Sequence, residues 1–332
     1  MQLQRICHDT AVAYLRLVRL LSSHVSILRT QSVIPGPRQL DALLVVGVTL
    51  LCIAAPLVAP IAAIVAASGI VVLAVLAWFK RCPAAAPLSI FCVICLSLIF
   101  CGVRYSPIIL VFGLLGYAGF VRMVSWLRRT ATWARWGSFD ASIRFLCVVV
   151  WLLSAAALLS WYLFLHPNIP RFVKAYVPAL PLGLLLAGGL IWAMLNAALE
   201  EAAYRGVFLH ALDTSLGPGF PALLLQALAF GAIHMRGFPG RWLGVGLACI
   251  FGLFMGVIRR RAGGMFAPWI AHAFTDVVIA GIVLLLAHPE RPNQAMQRTA
   301  SRAAIHVLCV CHPSAGCAAR FTGLAVADLA SR

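Results

Sequence analysis

Long apolar runs, separated by short polar connectors, cover most of the chain between residues 42 and 287. About 20 apolar residues are needed to cross a bilayer as an α-helix, so most of these runs predict one span each. The first run, 42–79, is too long for one helix, and Pro56 and Pro60 predict that it folds as a hairpin of two helices. Further spans are predicted at about 86–103, 106–121, 145–165, 177–211, 219–235, 242–258 and 266–287. The pattern therefore predicts an all-α, polytopic membrane protein with eight or nine transmembrane helices.

The two ends of the chain lack apolar runs of this length. Residues 1–40 carry five arginines and a helical spacing of apolar residues, which predicts a basic amphipathic segment at the membrane surface. Residues 288–332 are charged and contain cysteines, and we expect a disordered tail there. Between these ends, residues 41–176 are predicted to form N-terminal transmembrane helices. Residues 177–287 are predicted to form a C-terminal core with a polar cavity.

Composition supports the membrane assignment. Of the 332 residues, 63% are hydrophobic and only 11% are charged, whereas a soluble domain has about 25% charged residues. The formal charge of +17 comes from short basic clusters between the apolar runs. These clusters favour contact with membrane lipids and argue against a nucleic-acid partner. The excess of basic residues at the N-terminus, Lys80-Arg81, 122–135 and 259–261 predicts that the N-terminus is cytoplasmic.

Several acidic residues and histidines nevertheless lie within the apolar runs of the second half. Glu200 and Glu201 follow one run, His234 ends the next, and His272 and Asp276 lie in the last. A carboxylate inside a membrane costs roughly 2.5–3.5 kcal/mol on insertion scales, so such residues usually serve a function. Two glutamates, two histidines and an aspartate on three helices suggest hydrolysis inside a membrane.

Helical spacing suggests different tasks for the two glutamates. Glu201 and Arg205 are four residues apart and share a face, which predicts a buried ion pair that orients the site or serves only as a structural tie. Glu200 lies about 100° round the helix, with Asn196 one turn before it on its own face. Glu200 is thus left to face a polar cavity, where a carboxylate can act as a general base on water.

His272 and Asp276 are also four residues apart, so both can reach one point. Each could donate a hydrogen bond to a developing oxyanion, the aspartate only when protonated. Carboxylates and imidazoles are also zinc ligands, so a divalent metal such as zinc on Glu200, His234 and His272 stays open. The H-E-x-x-H pattern is absent, and no metal is required. Either histidine taken alone could equally be a packing residue.

Three motifs resemble those of the CPBP family, the CAAX-protease and bacteriocin-processing intramembrane peptidases. Glu200–Gly206 is similar to the family's E-E-x-x-x-R signature, and Phe230–His234 to its F-x-x-x-H motif. His272–Asp276 resembles its third motif, a histidine followed four residues later by Asn or Asp. The resemblance covers roughly residues 177–287.

The resemblance implies an intramembrane endopeptidase of an inner (plasma) membrane, bacterial in this case. Glu200 would activate water with the help of His234, while His272 and Asp276 would stabilise the oxyanion. Glu201 and Arg205 would orient the site. The partner would be a membrane-associated protein or peptide, including prenylated C-a-a-X proteins, and a cofactor is not expected. The family has been described both as metalloprotease and as glutamate-dependent protease.

Two other functions remain as alternatives. One is a non-proteolytic scaffold or bacteriocin-immunity factor of the same family. The other is a proton-coupled transporter that uses Glu200 and the histidines as a relay, although the two halves show no internal repeat. The predicted position of His234 conflicts with a site that it shares with Glu200 and His272. The predicted boundaries place His234 nearer to the membrane face opposite Glu200 and His272.

Overall fold

A computed structural model describes residues 36–287 except positions 104, 129, 131, 166–176 and 179. Most of the predicted amphipathic segment and the whole predicted tail, 288–332, lie outside the described residues. Within these ranges the chain is helical and contains no strand. The N-terminal helices are α1 Gly36–Ala54, α2 Pro60–Phe79, α3 Ala85–Phe100, α4 Ser106–Met123 and α5 Ala141–Leu165. The C-terminal helices are α6 Leu182–Glu201, a π-helical segment Ala202–Phe208, α7 Leu209–Leu216, α8 Phe220–Ile233, α9 Arg241–Ala262 and α10 Phe266–Ala287.

The helices match the predicted spans. Because α6, the π-helical segment and α7 are continuous, the described residues form nine helical rods. Six rods are long and apolar enough to cross a membrane, and α3 and α8 are shorter apolar helices. The predicted hairpin at 42–79 is present as α1 and α2, with Pro60 at the start of α2. The prediction of an all-α, polytopic membrane protein is confirmed.

The bounds of one predicted span were wrong. The helix predicted at 177–211 begins at Leu182 and continues to Leu216. Pro181 precedes its first turn, and Gly217 ends it with φ +80° and ψ 163°. A residue with a side chain rarely adopts that backbone conformation, so glycine provides the stop. The helix continues beyond residue 211 because Leu212 is fully buried and Asp213 pairs with Arg260 of α9.

The C-terminal helices form the centre of the molecule. Helix α8 packs along α9, and α6 packs along α10, while α9 also contacts α10. Helix α5 lies against α9 and α10. Helices α1–α4 pack mainly on one another, and α1 reaches α7 and α8. A layer of N-terminal helices thus covers one side of a C-terminal helical core.

A buried carboxylate joins α1 to α3. Asp41 is 5% exposed, and its two oxygens accept hydrogen bonds from the backbone N–H groups of Ala84 at 3.2 Å and Ala85 at 2.8 Å. The first N–H groups of a helix have no partner within the helix and carry a partial positive charge. Asp41 therefore caps α3.

The polar connector before α5 fixes the turn between α9 and α10. Backbone hydrogen bonds link Ser138 N–H to Ala262 O at 2.8 Å and Met265 N–H to Arg135 O at 2.7 Å. A Cβ on Gly264 would lie 2.1 Å from the backbone nitrogen of Gly137, so this close approach requires glycine. The connector thereby anchors the start of α10, the helix that carries His272 and Asp276.

Candidate active site

The two glutamates occupy the last turn of α6, next to the π-helical segment. Glu201 is fully buried, and its Oε1 lies 2.9 Å from a terminal nitrogen of Arg205, so the predicted ion pair is present. The Arg205 guanidinium lies 4.5 Å from the centre of the Phe230 ring and donates to the backbone oxygen of Gly252 at 3.4 Å. Arg205 therefore ties the rod to α8 and α9.

His272 lies among the carboxylates. Its Nδ1 is 2.7 Å from Glu201 Oε1, and because that oxygen belongs to a carboxylate paired with an arginine, Nδ1–H is the donor. The other nitrogen, Nε2, is 3.6 Å from Glu200 Oε2 and 3.6 Å from Asp276 Oδ1. Glu201 thus orients the ring so that Nε2 faces two further carboxyl groups.

Asn196 connects Glu200 to Asp276. Its side-chain nitrogen donates to Glu200 Oε1 at 3.2 Å and to Asp276 Oδ2 at 3.0 Å. Asn196 is 8% exposed. Its helical relation to Glu200 was visible in the sequence, but its contact with Asp276 spans 80 positions and had no local signal.

His234 follows the last residue of α8. Its Nδ1 lies 3.0 Å from the backbone oxygen of Phe230, one turn earlier. A carbonyl oxygen can only accept, so this contact makes Nδ1 the donor and leaves Nε2 of the neutral ring as an acceptor. Phe230 of the F-x-x-x-H motif thus contacts both Arg205 and His234.

The sequence placed His234 near the membrane face opposite Glu200 because the predicted end of the helix at residue 211 was wrong. Glu200 lies 16 residues before Leu216, and His234 lies 14 residues after Phe220, on the returning helix. At about 1.5 Å per residue these distances are roughly 24 Å and 21 Å, so the hairpin returns His234 to the level of Glu200. If the helix ended at residue 211, the distance from Glu200 to the helix end would be shorter than the distance from Phe220 to His234.

One cavity of about 690 Å³ brings these groups together. Glu200, His234, His272 and Asp276 all line it, as does Asn196. Most of the remaining wall is apolar and comes from α5, α6, α9 and α10. Glu201 and Arg205 do not line the cavity and lie behind Glu200 and His272. A polar end with acid and base groups thus joins an apolar chamber of ligand size.

Several of these residues are of the types that bind metal ions. Among the described residues, no three His, Cys, Asp or Glu side chains are arranged to hold a metal ion. Glu200 Oε1 and Asp276 Oδ2 already accept from Asn196, and His272 Nδ1 is bound to Glu201. The candidate ligands Glu200, His234 and His272 are therefore not grouped as a metal site in this arrangement.

The fold and the site define an integral membrane protein with an acid–base cluster at the polar end of an apolar cavity. Residues 182–278, which carry all three motifs, match the family model described as Type II CAAX prenyl endopeptidase Rce1-like. The resemblance to CAAX proteases is therefore confirmed over this segment. Neither a curated protein nor a solved structure shows a significant match to the chain.

Proposed function

We propose that this protein is an intramembrane endopeptidase that hydrolyses a peptide bond of a membrane-associated protein or peptide by glutamate-activated water. The observation that carries the proposal is the convergence of Glu200, His234, His272 and Asp276 on one cavity. A base for water and donors for an oxyanion are what peptide hydrolysis requires. The family match of residues 182–278 supports the same class of reaction.

Glu200 is the proposed general base. Its Oε2 faces His272 across 3.6 Å, whereas its Oε1 accepts from Asn196. The carboxylate takes a proton from water as the water oxygen bonds to the carbonyl carbon. When the C–N bond breaks, the same proton passes to the leaving amine. His234 supports this step because its Nε2 is an acceptor that can orient the attacking water.

His272 and Asp276 are the proposed oxyanion donors. While Nδ1 donates to Glu201, His272 can donate from Nε2 only as an imidazolium. The carboxylates of Glu200 and Glu201, within 3.6 Å of the ring, stabilise that positive charge. Asp276 donates from Oδ1 when protonated, because its Oδ2 faces the amide of Asn196. Glu201 and Arg205 hold the ring in place from behind.

The apolar chamber suits a substrate with a large hydrophobic group. Prenylated C-a-a-X proteins, the substrates implied by the family, have that chemistry. We propose an inner (plasma) membrane of a bacterium as the location, with a cytoplasmic N-terminus. The orientation rests on the basic clusters, two of which are adjacent in the fold, since Arg259 donates to the backbone oxygen of Trp133 at 3.1 Å.

We also propose that hydrolysis needs no bound metal. One oxygen each of Glu200 and Asp276 accepts from Asn196, and Glu201 pairs with Arg205, so each carboxyl group already has a protein partner. A chelator should therefore leave the rate of cleavage unchanged. Loss of cleavage with chelator, restored by zinc, would overturn this part of the proposal.

The function is tested by incubating purified protein in detergent with a peptide library that includes prenylated C-a-a-X peptides. Reaction in ¹⁸O-labelled water with mass spectrometry should place one ¹⁸O in the new carboxylate of each cleaved product. Glu200→Gln is the matched variant, since it keeps the shape of the side chain and removes the base. Folded wild-type protein that cleaves no peptide would favour a scaffold, and proton-coupled flux in proteoliposomes would favour a transporter.

A further inference from the structure

Asn196 holds an unusual position between two carboxyl groups of the candidate site. Its side-chain nitrogen has two protons, and the structure places one acceptor for each, Glu200 Oε1 at 3.2 Å and Asp276 Oδ2 at 3.0 Å. Both acceptors belong to buried side chains on different helices. The amide is therefore saturated as a donor by two groups that the proposed reaction uses differently.

We infer that Asn196 is a positioning residue that keeps Glu200 and Asp276 as two separate proton-binding groups. This inference rests on the proposed function. Two buried carboxyls that face one another without a donor between them tend to share a proton. A shared proton would compromise Glu200 as a base and Asp276 as a donor. The amide prevents the sharing because it presents a proton to each of them.

The same two contacts determine which oxygens remain for chemistry. Because Glu200 Oε1 and Asp276 Oδ2 accept from Asn196, the free oxygens are Glu200 Oε2 and Asp276 Oδ1. Each of these lies 3.6 Å from His272 Nε2. Asn196 thus turns both carboxyl groups so that their reactive oxygens face the ring and the cavity.

Several other charged or titratable side chains surround Glu200 and Asp276. The charged or titratable side chains around the pair are Glu201, Tyr204 and Arg205 on the same rod, His234 and Arg236 after α8, and His272 on α10. Among the described residues, α5 and α9 contribute no charged or histidine side chain to the cavity wall. Arg205 pairs with Glu201, and His272 Nδ1 also donates to Glu201.

Three substitutions grade the number of donors at this position. Asn196→Ala removes both, Asn196→Ser keeps a hydroxyl that can donate to one carboxyl only, and Asn196→Asp replaces the donors by a third carboxyl. We expect kcat to fall roughly 10- to 100-fold in Asn196→Ala, with KM within about threefold, because the reacting groups are misplaced while the cavity is kept. Asn196→Ser should lie between Asn196→Ala and the wild type, and Asn196→Asp should be at least as slow as Asn196→Ala.

Gln226→Ala is the matched control. Gln226 is a fully buried amide side chain on α8 that does not line the cavity. It should leave kcat within about threefold of the wild type. If Asn196→Ala and Gln226→Ala lower kcat equally, or if Asn196→Ser is no better than Asn196→Ala, the positioning role is wrong.

A second measurement does not depend on cleavage. Infrared spectroscopy of the protonated carboxyl C=O stretch as a function of pH, with Glu200→Gln and Asp276→Asn to assign the bands, follows the two groups directly. In the wild type, each single variant should remove one band and leave the titration of the other little changed. In Asn196→Ala, the two bands should titrate as a coupled pair. Coupled titration in the wild type, or an unchanged titration in Asn196→Ala, would overturn the inference even if the protein proves not to be a protease.

Discussion

The two halves of the molecule each bury carboxylates, but they treat them differently. In the N-terminal helices, Asp41 accepts two backbone N–H groups at the start of α3 and contacts no other charged side chain recorded among the described residues. In the C-terminal core, Glu200, Glu201 and Asp276 surround one histidine, and two of them line a cavity. A buried carboxylate satisfied by a helix N-terminus is structural, whereas carboxylates collected around a cavity are suited to chemistry.

The largest effect should come from Glu200→Gln in the C-terminal core. Removal of the base should lower the rate of peptide cleavage by about 10²–10⁴-fold, the usual contribution of general acid–base catalysis. The free energy of unfolding in mixed micelles should stay near that of the wild type, because the amide can still accept from Asn196. If the folded variant still cleaves the peptide at the wild-type rate, Glu200 is not the base, and the contrast between structural and catalytic carboxylates fails.

Arg205→Met should cause the largest loss of stability. The substitution leaves the buried Glu201 with His272 as its remaining partner, and breaking a buried ion pair costs about 3–5 kcal/mol. Denaturant titration in micelles measures the loss. The double variant Glu201→Gln/Arg205→Met should recover most of it, because the uncompensated charge is gone. A double variant as unstable as Arg205→Met would mean that Arg205 acts through Phe230 and Gly252 and not through the pair.

Asp41→Asn tests whether the buried carboxylate of the N-terminal helices has only a structural role. The amide can accept only one of the two backbone hydrogen bonds, and hydrogen bonds to charged groups are worth about 1.5–3 kcal/mol, so unfolding should become easier by about that amount. The cleavage rate per folded molecule should not change. The control is Asp140→Asn, where an exposed carboxylate accepts from Ile143 N–H at 3.0 Å, and the cost there should be smaller.

Gly217→Ala should destabilise the protein less than Arg205→Met and Asp41→Asn. Gly217 adopts φ +80° where α7 ends, and alanine in such a conformation costs about 1–3 kcal/mol although the space around it is open. Gly246→Ala, in open space within α9, is the control and should be close to neutral. A neutral Gly217→Ala would show that the hairpin from α7 to α8 does not depend on this turn.

The sequence was sufficient for the spans and for the ion pair because both depend on local spacing. Runs of apolar residues predict α10 at its observed bounds, and i,i+4 spacing predicts the contact of Glu201 with Arg205. The continuation of the rod to Leu216 was missed, since its retention depends on Asp213 meeting Arg260 from a distant helix. The π-helical segment was missed because apolar periodicity does not distinguish it from an α-helix.

Long-range contacts of the site were also beyond local patterns. The contact of Glu201 with His272 spans 71 positions, and the link from Asn196 to Asp276 spans 80. Helical spacing placed Asn196 beside Glu200 but could not say that α10 would supply a second acceptor. The catalytic roles of Glu200, His234, His272 and Asp276 remain predictions that the geometry accommodates.

The most direct test compares the two halves in one assay. The cleavage rate per folded molecule is measured for the wild type, Glu200→Gln and Asp41→Asn on one peptide that the wild type cleaves, with the folded fraction determined in each sample. We predict that Glu200→Gln is folded and inactive, while Asp41→Asn is less stable and fully active per folded molecule. Equal activity of Glu200→Gln and the wild type would contradict the assignment of the hydrolytic site to the C-terminal core.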